Sequence, residues 1–198
     1  MVYSLRTVSH GISSGYKAEI DPTTGQPATT SPIIVPITGL VSVADAPPSA
    51  TTIYADNTTQ AVTSSKTIPL TVNQYQFNHA QMELAFNGYT YDTTTPPTQT
   101  DWTVSNTGAK PQFAFWFITE VSDGTEQLIV YPNCTASDVT GIGSGSTDTD
   151  SVTVNTFSYT ATAGQSVDAT LPPGTSRWFT SDPTTIAAAK AGTYPTFP

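Results

Sequence analysis

The chain has 198 residues and a mass of 20.9 kDa, the size of one ordinary domain. Charged residues make up 11% of it, against about 25% in an average globular chain, and the formal net charge is −9. The six cations stand singly at Arg6, Lys17, Lys66, Lys110, Arg177 and Lys190, so they build no basic face, and a protein that wraps nucleic acid is excluded. The single cysteine, Cys134, excludes an internal disulfide framework and reads as a small buried hydrophobe with no neighbouring base or cation. No run approaches the about 18 apolar residues of a membrane span, and MVYSLRTVSHG has no apolar stretch after its charge to serve as a secretory signal. The expectation is a protein made in the cytosol.

About a fifth of the chain is threonine, which is stiff at Cβ, favours strands and keeps an exposed strand face wet. With 16 Pro and 13 Gly as punctuation, the composition predicts a mainly β protein with many turns. Taken in order, residues 2–8 predict a short strand. Residues 9–32, rich in Gly, Ser, Thr and Pro, predict a long surface loop or extended arm. Ile33, Val35, Ile37, Val41 and Val43 keep one parity, as in a half-buried strand interrupted near Gly39. A short β segment follows at 51–56. Ile68, Leu70 and Val72 then oppose Thr67, Thr71 and Asn73, while Pro69, lacking an amide donor, predicts an edge strand or an interruption.

Asn78 can cap a helix over 78–86, with Met82, Ala85 and Phe86 as its apolar stripe and Gly88 as its stop. Residues 92–111 read as a Thr/Pro-rich loop around Trp102. The wholly apolar run 113–118 predicts a strand buried on both faces. Asp123-Gly124 turns it into a partner strand over 127–132. A flexible loop is expected over 141–150, then a long strand over 152–161 whose parity shifts between Val154 and Phe157. Near the end, Asp182 as cap, Pro183 in the first turn and Gly192 as stop predict a short helix. The last residues, TYPTFP, read as extended. No linker divides the chain, so one domain is expected over 1–198, with 1–32 as an N-terminal strand and extended loop and 170–198 as a C-terminal extension.

The chemistry-bearing patterns are weak. Gly11-Ile12-Ser13-Ser14-Gly15 matches the G-x-S-x-G of serine hydrolases, but a Pro/Thr-rich stretch stands where the elbow's helix belongs. His10 and His79 have no companion at zinc-ligand spacing, and Asp148 and Asp150 lack the pattern of a calcium loop. Gly141, Gly143 and Gly145 precede no helix pattern and form no dinucleotide fingerprint. The aromatic run Phe113, Phe115, Trp116 and Phe117 reads as core or interface. These readings predict no enzyme, no cofactor and no metal.

Residues 40–57 carry a resemblance. Ser42-Val43-Ala44-Asp45, then Ser49-Ala50-Thr51-Thr52-Ile53 and Tyr54-Ala55-Asp56-Asn57, are similar to a signature of one family of major tail tube proteins of long non-contractile (siphovirus-type) phage tails. In that family a Tyr-Ala-Asp-Asn segment is followed by a strand and a helix, here 68–72 and 78–86. A second block, residues 110–117, then Thr119-Glu120-Val121-Ser122-Asp123-Gly124, 127–131 and 148–162, resembles the family's C-terminal hairpin and closing strand. The match covers roughly residues 33–165. The stretches 9–32, 92–109 and 170–198 depart from it.

The resemblance implies a β-sandwich or barrel with one flanking α-helix and long loops, whose copies close into six-membered rings. Stacked rings form a tube for the genome in the virion, made in the host bacterium's cytoplasm. It implies as partners further copies of the chain, the tape-measure, tail terminator and baseplate proteins, and DNA in ungripped passage. Tyr54, Ala55, Asp56 and Asn57 become structural motif residues: Asp56 and Asn57 suit a tight turn, and Tyr54 can pack its ring on the sandwich. Asp45, Asp56, Asp123 and Glu126 are candidate acids facing the bore. The competing expectation is a virion-surface or secreted glycan-binding β-sandwich that uses Trp102, Trp116 or Trp178.

Overall fold

A computed structural model describes residues 9–27, 34–37, 40–46, 50–55, 58–63, 67–74, 89–91, 102–104, 110–121, 124–142 and 157–197. The protein is mainly β. Its strands are β1 (Ser9–Glu19), β2 (Ile34–Pro36), β3 (Leu40–Asp45), β4 (Ala50–Ala55), β5 (Thr58–Thr63), β6 (Ile68–Gln74), β7 (Tyr89–Tyr91), β8 (Trp102–Val104), β9 (Phe113–Val121), β10 (Glu126–Ile142), β11 (Phe157–Ala163) and β12 (Trp178–Thr180). The helix α1 (Pro183–Lys190) follows β12. An antiparallel sheet runs in the order β2-β1-β9-β10-β11-β6-β3, and β12 pairs with β10 as an eighth strand. Two further pairs, β4–β5 and β7–β8, pair only within themselves among the described residues.

β9 organises the core because both its faces are apolar. Every residue from Phe113 to Thr119 is buried. Phe113, Phe115 and Phe117 point into one cluster, while Ala114, Trp116 and Ile118 point into another. The first cluster also holds Leu70 and Val72 of β6 and Tyr159 and Ala161 of β11, from the far part of the strand order. The sheet is therefore strongly bent, and the 17-residue β10 carries the bend. Pro132, which cannot donate to a ladder, falls where the β9–β10 register shifts between Tyr131 and Cys134.

The second cluster is closed by the C-terminal segment: Leu171, Trp178, Ile186 and Ala189 cover Trp116 and Leu128. In α1, Asp182 caps by accepting from the Thr185 amide at 2.8 Å, Ile186 and Ala189 share the buried face, and Gly192 ends the helix at φ 80°. The Tyr16 hydroxyl donates to the Lys190 carbonyl at 2.7 Å and ties the helix end to β1.

Much of the expected order is present, including β9, the β9–β10 hairpin with Gly124 at φ 79°, the alternation of β6, and α1 with its cap and stop. Several expectations are corrected. Residues 9–19 are not an arm but an interior strand between β2 and β9. Its small residues fit because Leu40 crosses close over Gly15, where a Cβ would lie 2.6 Å from Leu40 Cδ2. The run 33–43 is two strands at opposite ends of the sheet order. Pro69 lies in the interior strand β6, and its carbonyl accepts from Ala46 just past the last β3 pair, so its missing donor breaks no ladder. Residues 102–104 form a strand instead of loop, and β10 runs on through Gly141. The expected 170–198 extension supplies core residues. The predicted strand at 2–8, helix at 78–86 and parity shift between Val154 and Phe157 lie outside the described residues.

Candidate functional surface

Strand alternation in β11, β6 and β3 sends Tyr159, Ala161, Leu70, Val72 and Val43 inward and the intervening residues outward. The registers align the outward residues in three rows. Ser42, Asn73 and Ser158 form the first; Ala44, Thr71 and Thr160 the second; Pro69, Thr162 and Thr135 the third. These rows contain no charged or aromatic residue. In the first row, Asn73 Nδ2 donates to Ser42 Oγ at 2.9 Å and Ser158 Oγ donates to Asn73 Oδ1 at 2.5 Å. Three strands are thus tied by side chains whose hydrogen bonds go to one another. The result is a hydroxyl-rich face of almost no formal charge on a protein of net −9.

The described cations lie elsewhere. Lys17 is fully buried, its Nζ 4.0 Å from the Tyr159 ring centroid and 5.6 Å from that of Phe113. Lys110 precedes β9, and Arg177 and Lys190 pair with Asp45 and Glu126. Asp45 and Glu126, two of the four candidate bore acids, are therefore strand residues engaged in ion pairs.

Asp45 sits on the inward parity of β3, where its carboxylate accepts from Arg177 and, at 3.0 Å, from the Tyr131 hydroxyl. Burial first, and then the Asp45 charge, push the Tyr131 phenol above its ordinary value. This cluster ends a groove of about 310 Å³ between β3 and the β9–β10–β12 face, lined by Val43, Phe117, Ile129 and the half-exposed Phe179. No protein-family model matches the chain, and no curated protein matches its sequence.

Of the motif residues, Tyr54 and Ala55 end β4, and Ala55 pairs with Thr58 of β5. Asp56, Asn57, Asp123 and the Tyr54 side chain lie outside the described residues. Ser13 sits within β1, its Oγ 3.4 Å from the Ile118 carbonyl, neither in a flexible loop nor at a strand-to-helix elbow. Trp116 and Trp178 are 0% and 5% exposed, so two of the three tryptophans proposed for a glycan surface are core residues. Cys134 is fully buried as expected, and burial pushes its thiol up. Lys17 opposes that rise, so the sequence reading missed a nearby cation 117 positions away by numbering.

Proposed function

We propose that this chain is a tube-forming structural subunit of the major tail tube type, and that the outer face of β3, β6 and β11 lines the bore. The observation that carries this reading is the uncharged face itself. Duplex DNA binds proteins through Lys and Arg contacts to phosphate, each adding affinity by counterion release. In a stack of rings even a weak attraction is repeated along the genome. A conduit therefore needs a wall of hydroxyl and amide groups without cations, and the three rows supply one.

Growth into rings uses what the sheet leaves open. Among the described strands the outer edge of β3 has no partner, Val41 on β3 is 38% exposed, and the neighbouring groove with Phe179 offers apolar area to a second copy. Closure of the bent sheet into a sandwich or barrel, six-membered rings, a place in the virion and docking to tape-measure, terminator and baseplate proteins follow from the resemblance. The reading is tested by light scattering over a concentration series, with negative-stain grids of the same samples. Annular particles or filaments growing with concentration are expected. A monomer at every concentration refutes it.

A further inference from the structure

At the far end of β1 from Ser9, the turn after Glu19 is closed by Asp21 N–H to the Gln26 carbonyl and Gly25 N–H to the Asp21 carbonyl, both at 2.8 Å. Gly25 holds φ 71°, and a Cβ there would lie 2.7 Å from the Asp168 amide nitrogen. The turn is thus pressed onto the loop that leads from β11 to β12. Asp168 is 7% exposed. Its Oδ1 accepts from the Thr170 amide at 2.9 Å and the Thr170 hydroxyl at 2.8 Å, and its Oδ2 accepts from Gln26 Nε2. Among the described residues these bonds take three of the about four acceptor positions a carboxylate offers.

Asp168 borders a cleft of about 590 Å³ walled by Trp178, Tyr194 and Phe197, and it is the one charged group among the described lining residues. Tyr194 registers that charge: burial first, then Asp168, push its phenol up to about 12. Val167 and Phe197, 55% and 39% exposed, leave apolar surface at the rim. Cavities of this size with aromatic walls and one fixed polar group are the usual form of small-molecule sites. We infer that the cleft binds an organic cation, an amidinium, guanidinium or primary amine on an apolar stem. The head group meets Asp168 and the stem lies among the aromatic rings. A sugar is disfavoured because the rings already pack edge to face, Trp178 with Phe197 at 5.7 Å and Tyr194 with Trp116 at 5.8 Å. This inference does not depend on tube formation.

The test is calorimetric titration with benzamidine and with benzamide, its uncharged counterpart. Benzamidine is expected to saturate one site per chain, and benzamide to bind at least tenfold more weakly. Asp168→Asn keeps an acceptor for Thr170, and Gln26 can turn its amide to match. It should lower benzamidine affinity at least tenfold and leave benzamide unchanged. Val167→Arg, on the exposed rim, brings a competing cation and should weaken benzamidine to a similar extent without touching the Asp168 network. Equal affinity for both probes overturns the inference, as does undiminished binding by both variants. Failure of benzamidine to bind the folded protein, or preferential binding of a methyl glycoside, overturns it too.

Discussion

Replacing Asp45 with alanine removes the acceptor shared by Tyr131 and Arg177, and the two losses differ in size. Tyr131 is 2% exposed, so its hydroxyl is left without its partner in a buried place, at a cost of about 1–3 kcal/mol. The ion pair is half open to solvent, with side chains 43% and 31% exposed, and contributes at most about 1 kcal/mol. Asp45→Ala should therefore cost about 1–4 kcal/mol in all. At roughly 2–4 °C per kcal/mol for a chain of this length, Tm falls by roughly 2–16 °C. Arg177→Ala should lower it by no more than about 4 °C. Differential scanning fluorimetry of both variants and of Tyr131→Phe, combined as a double-mutant cycle, isolates the Asp45–Tyr131 coupling. The same phenol predicts a pH effect. Its value is raised in the folded state, so its contribution is intact below about pH 10 and is lost as pH rises further. Tyr131→Phe should then show a shallower alkaline loss of stability than the wild type. Equal losses for Asp45→Ala and Arg177→Ala, or none for Asp45→Ala, would refute the view that Asp45 latches β3 to β10.

Gly25→Ala combines a left-handed backbone with a Cβ 2.7 Å from the Asp168 nitrogen, and it should destabilise by more than about 1 kcal/mol in chemical denaturation. Cys134 is fully buried with its thiol pushed up, so a maleimide should label the native protein negligibly and the denatured protein fully. Thr71→Lys, on the exposed side of β6, should leave assembly and Tm nearly unchanged. It should give the assembled protein a salt-sensitive affinity for duplex DNA, read by fluorescence anisotropy, that the wild type lacks.

The sequence carried the parts of this fold that are written locally. Asp182, Pro183 and Gly192 mark α1 within eleven residues, and the alternation around Leu70 and Val72 marks β6. β1 was hidden because Gly11, Ser13, Ser14 and Gly15 look like loop residues. They make a strand because β9 pairs along them and the Gly15 carbonyl accepts from the Ile37 amide, and Leu40 requires a small residue at Gly15. Threonine alternation in β6 and β11 was readable, but the three-row face exists only once β3, β6 and β11 are known to be neighbours. The Asp45–Tyr131 and Gln26–Asp168 contacts join residues 86 and 142 positions apart, so no local pattern announces them.

The central claim is that copies of this chain build a tube whose bore is the uncharged face of β3, β6 and β11. An electron cryomicroscopy reconstruction of the assembled protein tests it most directly. Stacked rings are expected, with Thr71, Asn73 and Thr160 facing the central channel and Arg177 and Lys190 away from it. A channel lined by Arg177, Lys190 or Lys110, or an assembly that buries the Thr71 face between subunits, would contradict it.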